Sequence, residues 1–293
     1  MNRKEIAAET LKIQNQACYE ADGIKIEFAD KQKSSEKNSN LITPEDSARL
    51  IKELKPPVNE QLASYSVVNQ SAVQTVLEMN KDGEHPAVLN FASAKNPGGG
   101  FLNGAMAQEE ALAASSGLYN TQLLHRTYYS ANRACGTMMY TDYAIYSPDV
   151  VFFRDGNFEL LKVPVTASVL TMPAVNMGQV ILRSEDAEKA KTVMKNRMRL
   201  CLAIFAHKKD KYLSLGAYGC GVFRNNPVDD ELLKKRQDGG RNAAAAMILP
   251  TVFLFCHNPI AIAPYGPPIA APFARPAAVL PVFIAPLSAF AIF

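Results

Sequence analysis

The succession of an apolar strand, a glycine-rich loop and a helix constrains the fold of this chain more than any other feature. Ala87–Ala92 is a short apolar strand candidate, Gly98–Gly100 are three consecutive glycines, and a helix is predicted over about 107–118. A second glycine-rich segment, LGAYGCGVF, follows another strand candidate at 212–215. Strands that alternate with helices, with glycine-rich turns after the strands, indicate a layered α/β fold.

Three regions are predicted along the chain. Residues 1–84 are expected to form a mostly helical N-terminal extension packed on the core, with Met1–Ala21 as one helix. Residues 85–257 are expected to be the core itself. Residues 258–293 are rich in proline and alanine and carry no acidic side chain, which favours a poorly ordered or non-native tail. A hydrophobic interaction segment is the other interpretation of this tail.

Capping residues and proline define the expected ends of several elements. Thr43, followed by a proline and two acids, predicts a helix start. Ser184 is expected to cap a long helix that runs to about His207. A last strand is expected at Ile248–Phe255, although Pro250 argues against a central position for it in a sheet.

Charge and cysteine content exclude several classes of protein. The chain has 31 basic and 28 acidic residues, and its net charge of +3 gives no reason to infer direct nucleic-acid reading. Five cysteines without a CxxC pair argue against a disulfide framework or a zinc site and favour a reducing compartment. The longest apolar run, Ala243–Cys256, is too short for a membrane span. We therefore expect a cytoplasmic protein, or a nuclear one if the source is eukaryotic.

The three glycines Gly98–Gly100 suit either a flexible surface loop or a ligand-binding loop. They have no side chains to keep a ligand away and they tolerate positive φ, so their backbone N–H groups can converge on a phosphate or a sugar. The position of the loop favours a ligand, because open α/β sheets bind ligands where buried strands end.

Two adjacent acids, Glu109 and Glu110, stand at the start of the helix after this loop. Acids in a first helical turn commonly serve only to stabilise the helix dipole. Neighbouring side chains on a helix point about 100° apart, so only one of the two can face a given ligand atom. One acid for chemistry and one for positioning is the natural division.

The second glycine-rich segment does not have the spacing of a dinucleotide or P-loop motif. Two such loops in one domain would suit a ligand with a diphosphate. Phe223 is expected either to pack on a sugar or base of the ligand or to lie in the core. Cys220 is a candidate thiol nucleophile, but no histidine is close in sequence, so a small residue lining the loop is the better interpretation.

The motif GGG, seven residues and QEE, together with NFASAKNPGGGFLNGAMAQEE and LGAYGCGVFRNNP, resembles the poly(ADP-ribose) glycohydrolase family in its bacterial-type branch. The segment TMPAVNMGQV, Thr171–Val180, resembles the family's segment between the two loops. The resemblance covers about residues 65–230 and fades after Pro227. It implies an α/β fold, namely a three-layer α/β/α macrodomain with a mixed central sheet and an N-terminal helical extension.

The resemblance also implies roles for individual residues. Glu110 matches the family's catalytic acid/base, and Glu109 matches the glutamate that helps to hold the substrate. Asn96 and Gly98–Gly100 would lie along the terminal ribose and the diphosphate, and Phe223 would orient the terminal ribose. The implied substrate-binding positions are Asn96, Gly98, Gly99, Gly100, Gln108, Gly219, Cys220, Gly221, Val222 and Phe223.

The implied reaction is hydrolysis of the ribose–ribose O-glycosidic bond at the end of poly(ADP-ribose), which releases ADP-ribose. It requires no metal and no cofactor, and the expected partners are poly(ADP-ribose), ADP-ribose and ADP-ribosylated proteins. Two alternatives remain: a macrodomain that binds ADP-ribose without cleaving it, and a hydrolase of another ADP-ribose derivative. The intact QEE argues against a pure binding module, because binding alone does not need an acid.

Overall fold

Nine α-helices and nine strands make up the regular structure in the part of the chain that the computed structural model describes, which is residues 2–54 and 64–226 and the backbone of 251–255. The helices are α1 (Arg3–Gln16), α2 (Ala29–Asn38), α3 (Pro44–Glu53), α4 (Ala72–Lys81), α5 (Gln108–Ser115), α6 (Leu118–Leu124), α7 (Arg126–Ala134), α8 (Met177–Leu182) and α9 (Ala187–Lys208). The strands are β1 (Cys18–Ala21), β2 (Ile24–Glu27), β3 (Asn40–Ile42), β4 (Ser64–Val68), β5 (Pro86–Ala92), β6 (Ala144–Arg154), β7 (Leu160–Pro173), β8 (Tyr212–Gly216) and β9 (Thr251–Phe255). The expected tail at 258–293 lies outside the described residues.

The central sheet is mixed and has seven strands in the order β3-β6-β7-β5-β8-β9-β4. The pairs β3–β6 and β6–β7 are antiparallel, and the pairs from β7 through β5, β8 and β9 to β4 are parallel. Strand β5 pairs with β7 from Ala87 to Ala92, but it pairs with β8 only from Pro86 to Val88. The sheet therefore opens between β5 and β8 toward their carboxyl ends.

Two apolar cores lie on opposite faces of this sheet. Ala87 and Leu89 of β5 belong to the core beneath α3, α8 and α9, whereas Val88 between them belongs to the core beneath α4, α5 and α6. This alternation follows from the period of two along a strand, and it explains why β5 is apolar on both faces. The predicted three-layer α/β/α architecture with a mixed sheet is confirmed.

The N-terminal region differs from the predicted helical extension. Helix α1 ends at Gln16, and Cys18–Ala21 forms a hairpin with Ile24–Glu27 instead of continuing the helix. Asp22 and Gly23 both have positive φ at the turn, and an Asp-Gly pair between two apolar runs is a hairpin signal that the helical interpretation passed over. Because β3 and β4 are strands of the central sheet, residues before 84 contribute to the same layered unit as the core.

Three further predictions about individual elements have clear outcomes. Thr43 caps α3 as predicted, in a capping box with Asp46. The cap of α9 is Asp186 rather than Ser184, which has a left-handed φ of 55° and ends the preceding turn. Strand β9 lies between β8 and β4, so the argument against a central position was wrong. Pro250 precedes β9 in sequence and lies outside the described residues.

Arg197 of α9 holds the segment before β6 against the end of β7. Its side chain is 1% exposed. Nη1 donates to the carbonyls of Met139 (2.7 Å) and Pro173 (3.1 Å), and Nη2 donates to Asp142 Oδ1 at 2.9 Å. One guanidinium thus satisfies two backbone carbonyls and a carboxylate near the edge of the sheet.

Arg197→Met should destabilise the fold because it leaves two buried carbonyls without donors. We expect a loss of about 3 kcal/mol in the free energy of unfolding. Urea denaturation measures it, with Arg133→Met on the exposed face of α7 as the control that should change little. Equal stability of the two variants would contradict this role of Arg197.

Candidate active site

Two loops follow the carboxyl ends of β5 and β8, where the sheet opens. The first glycine loop comprises residues 93–107 and leads from β5 into α5. The second glycine loop comprises residues 217–226 and follows β8. Because β5 and β8 are parallel neighbours, both loops emerge at the same edge of the sheet, which is the usual ligand-binding edge of an open α/β fold.

Glu110 lies in the first turn of α5 and faces the first glycine loop. Its Oε1 accepts a hydrogen bond from the Gly100 N–H at 2.9 Å, and its side chain is half-buried. Oε2 has no hydrogen-bond partner among the described residues. One oxygen is therefore fixed by the loop while the other is free to meet a ligand.

Glu109 is buried and has other partners than Glu110. Its Oε2 accepts from the Ser93 N–H at 2.6 Å, and its Oε1 accepts from Gln122 Nε2 at 3.1 Å and lies 3.4 Å from Asn90 Nδ2. Burial raises the pKa of Glu109 to about 8, and the donors from Ser93 and Gln122 hold it below the value that burial alone would give. The two adjacent acids thus differ in burial and in hydrogen-bond partners, although both carboxylates lie close to Gly99.

Gln108 anchors the start of α5 to strand β5. Its Oε1 accepts from the Phe91 N–H at 2.8 Å and its Nε2 donates to the Leu89 carbonyl at 2.7 Å. These backbone groups lie just beyond Val88, the last residue of β5 in register with β8. Gln108 was expected to bind substrate, but the structure places both ends of its amide on the backbone of β5.

The N–H groups of the three glycines are already used within the protein. Gly98 donates to Gln122 Oε1 (2.8 Å), Gly99 to the Asn96 carbonyl (3.1 Å), and Gly100 to Glu110 (2.9 Å). These three donors face protein acceptors in the structure, and their convergence on a ligand stays a prediction. Added Cβ atoms at Gly98, Gly99 and Gly100 would meet Phe101, Glu110 and Ala105, so the glycines allow close packing within the protein. Asn96 beside them is exposed.

The second glycine loop presents free donors. The N–H groups of Gly221, Val222 and Phe223 have no acceptor within the described residues. Asn225 Nδ2 fixes this loop by donating to the carbonyls of Val175 (2.7 Å) and Gly219 (2.9 Å). The backbone donors expected at a diphosphate are therefore found in this loop rather than in the first.

The side chains of the second loop have mixed exposure. Val222 is 85% exposed, and Phe223 is half-buried with its ring centroid 6.3 Å from that of Tyr140. Cys220 is half-buried, and its Sγ lies 3.8 Å from the Tyr218 carbonyl, which is a weak contact and not the arrangement of an activated thiol. Phe223 also packs against the core beneath α3, α8 and α9, and the rest of its side chain stays exposed.

Several residues of the site were not identified from the sequence. The side-chain amides of Asn90 and Gln122 face Glu109 Oε1. Lys95 Nζ lies 6.0 Å from the ring centroid of Tyr140, the residue whose ring neighbours that of Phe223. Asn90 could have been recognised from the sequence, because it is a lone polar residue in an otherwise apolar strand. Gln122 could not have been recognised, because α6 itself was not predicted.

A cavity of about 350 Å³ lies away from this edge, between α1, the β1–β2 hairpin and the β6–β7 turn. Its lining includes four acidic residues and one arginine, namely Glu9, Glu20, Asp22, Glu159 and Arg154. That charge balance is unfavourable for a polyanion. The cavity is therefore not the place where a diphosphate would bind.

The described residues contain no cluster of three or more histidine, cysteine or acidic side chains placed to hold a metal ion. In the same part of the chain, no helix has the length and apolar character needed to cross a membrane.

The fold and the site together define a class of protein, the macrodomain-like glycosidases. A pair of glutamates at the start of α5 lies where the mixed sheet opens between the two glycine loops. The model for the catalytic domain of microbial-type PARG, poly(ADP-ribose) glycohydrolase, matches residues 7–155. The chain belongs to this family. The resemblance inferred from the sequence is therefore confirmed.

Solved structures agree with the family assignment. Poly(ADP-ribose) glycohydrolase from Thermomonospora curvata is 34% identical, with a TM-score of 0.80, and the match covers 88% of this chain and 94% of that one. The same enzyme bound to the inhibitor ADP-HPD matches with a TM-score of 0.77, 34% identity and the same coverage. The Deinococcus radiodurans enzyme in complex with ADP-ribose is 33% identical, with a TM-score of 0.68 and coverage of 80% and 94%. A comparison with curated proteins found no match.

Proposed function

We propose that this chain is a poly(ADP-ribose) glycohydrolase that cleaves the ribose–ribose O-glycosidic bond at the polymer end and releases ADP-ribose. The observation that carries the proposal is Glu110, which has one oxygen held by the Gly100 N–H and the other free at the opening between the two loops. Family membership supports it, as do the related enzymes solved with ADP-ribose and with ADP-HPD.

Glu110 performs both proton transfers in the proposed mechanism. It protonates the departing hydroxyl oxygen as the glycosidic C–O bond breaks, and an oxocarbenium-like ribose forms that the adjacent diphosphate stabilises. The resulting carboxylate then takes a proton from the attacking water, which returns Glu110 to its starting state. This scheme uses one carboxylate, unlike the usual two-carboxylate glycosidase pattern.

Glu109 is the buried partner of this acid. Its side chain is 3% exposed, so it has almost no surface to offer a substrate. We assign it the task of holding the first glycine loop through the Ser93 N–H, and thereby placing Glu110, which revises the substrate contact expected from the resemblance.

The substrate contacts are assigned to the two loops. The free N–H groups of Gly221 and Val222 are suited to the diphosphate, and the open face of Phe223 is suited to the terminal ribose. Gly98–Gly100 would border the ribose, and Gly99 lets the loop backbone lie directly against Glu110. Cys220 lies within the loop without a chemical role, and the chain's own residues complete this mechanism with no cofactor.

The partners of the protein and its compartment are also proposals. ADP-ribosylated proteins would be partners through the polymer that they carry, so the reaction would reverse ADP-ribosylation. The cytoplasm is the proposed compartment, and among the described residues no disulfide joins Cys18, Cys135, Cys201 or Cys220, which fits a reducing environment.

The test is incubation of the full chain with poly(ADP-ribose) and separation of the products by chromatography. We expect ADP-ribose to accumulate with time. A parallel calorimetric titration with ADP-ribose and an assay on mono-ADP-ribosylated peptides test the alternatives. Binding of ADP-ribose without cleavage would replace the proposal with a binding module, and cleavage of the peptides alone would replace it with another ADP-ribose hydrolase.

A further inference from the structure

Gln122 has a fully buried side-chain amide that connects the first glycine loop to the glutamate pair at the start of α5. It lies on α6, and neither the family signature nor any catalytic motif contains it. Oε1 accepts from the Gly98 N–H at 2.8 Å, and Nε2 donates to Glu109 Oε1 at 3.1 Å. One side chain therefore connects the first glycine loop to the buried acid at the start of α5.

The orientation of this amide is determined by its partners. The Gly98 N–H can only donate, so the atom facing it must be the carbonyl oxygen of Gln122. The NH₂ group is then directed to Glu109, where it is accepted by a carboxyl oxygen. Glutamine is long enough to make both contacts, and each needs a different end of the amide.

The bridge closes a ring of contacts around the candidate catalytic acid. Gly98 is tied to Glu109 through Gln122, and Gly100 is tied to Glu110 directly. Since the two acids are consecutive residues, the first glycine loop is fixed to the start of α5 at both of its outer glycines. Loss of the Gln122 contacts leaves a single hydrogen bond between the glycines and the two acids.

We propose that Gln122 is a positioning residue for turnover, which keeps the first glycine loop and the Glu109–Glu110 pair in the geometry that the reaction needs. It acts through Glu109 and Gly98 and does not touch the substrate. The proposal rests on the proposed function, because it assigns a further residue to the same site. A displacement of about 1 Å at a catalytic group can lower a rate by roughly 10²-fold, so a buried bridge of this kind has a measurable effect.

The first test replaces the amide without changing its volume much. Gln122→Met removes both contacts, and Gln14→Met is the matched control. Gln14 is also buried and accepts one backbone N–H, that of Asn120, at 3.2 Å, but no hydrogen bond joins it to a residue of the site. We expect Gln122→Met to lower kcat on poly(ADP-ribose) by roughly tenfold or more with KM within about threefold, and Gln14→Met to keep kcat.

The second test uses the isosteric variant Gln122→Glu, which should restore the bridge only while it carries a proton. The protonated side chain can accept from Gly98 and donate to Glu109, as the amide does. Raising the pH removes that shared proton and leaves two buried carboxylates facing each other. We therefore expect kcat near the wild-type value at about pH 6 and a fall with rising pH that begins at a lower pH than in the wild type.

A readout without turnover separates this proposal from the proposed function. Hydrogen exchange of the Gly98 amide should be slow in the wild type and at least about tenfold faster in Gln122→Met, since its acceptor is gone. Equal kcat in Gln122→Met and Gln14→Met, or unchanged exchange at Gly98, would overturn the role of Gln122. A wild-type chain that releases no ADP-ribose would instead overturn the proposed function, and the exchange result would stand on its own.

Discussion

Glu110→Gln should abolish turnover while binding survives. General acid–base catalysis is worth about 10²–10⁴-fold, and here one carboxylate is assigned both transfers, so we expect kcat to fall by about 10³-fold or more. The glutamine carbonyl can still accept from the Gly100 N–H, which now holds Glu110 Oε1 at 2.9 Å. Loop and helix therefore stay in place, and the Kd for ADP-ribose should remain within about threefold of the wild-type value.

A first-turn glutamate elsewhere provides the control for this variant. Glu45 stands in the first turn of α3 and is exposed, so Glu45→Gln removes an equivalent charge from a helix dipole. Such a change is worth about 0.3–1 kcal/mol in stability and should leave kcat unchanged. Steady-state kinetics, calorimetry with ADP-ribose and thermal unfolding measure the three quantities. Full turnover by Glu110→Gln would remove the acid/base role from this residue, and a Kd weakened as much as kcat would make it a binding residue.

The position of the site could be predicted from the sequence because it depends on local patterns. The strand before Gly98–Gly100 and the strand before the second loop are both short and apolar, and parallel strands deliver their following loops to one edge. That Glu109 and Glu110 have different surroundings follows from the step between adjacent residues of a helix. These features need only the spacing of residues along the chain.

The direction of the loop hydrogen bonds could not be predicted in the same way. Glycine identity shows that a backbone can adopt positive φ, but it does not say whether the N–H groups face a ligand or the protein. That depends on acceptors such as Gln122, which lies 24 residues after Gly98 in a helix with no motif of its own. The free donors of the second loop are those of Gly221, Val222 and Phe223, which neither the loop's own backbone bonds nor the Asn225 side chain use.

Strand membership near the N-terminus was missed for a related reason. The segment β3 has only three residues, and its pairing partner β6 lies about a hundred residues away in sequence. Periodicity over three to five residues cannot distinguish such strands from the ends of helices. The hairpin of β1 and β2 was different, since its Asp22–Gly23 turn was visible in the sequence, but the strand Cys18–Ala21 before the turn was assigned to a helix that ended at Ala21.

Gly99→Ala should lower turnover about as strongly as loss of a catalytic contact, although it changes no functional group. A Cβ at Gly99 would overlap Glu110 Oε1 and lie 3.0 Å from Glu109 Oε2. The left-handed φ of 59° adds a backbone cost of about 1–2 kcal/mol for alanine. Since the methyl group meets the carboxylates directly, we expect kcat to fall by about 10²-fold or more.

Gly104→Ala separates backbone strain from displacement of the acids. Gly104 belongs to the same loop and has a φ of 77°, but its added Cβ would meet the flexible Lys4 side chain at 3.3 Å rather than a carboxylate. Both variants should lose stability by a similar amount of about 1–2 kcal/mol. Only Gly99→Ala should lose turnover, because only there does the methyl group displace Glu110. Turnover of Gly99→Ala within threefold of Gly104→Ala would mean that the close approach of glycine and glutamate is not needed for the reaction.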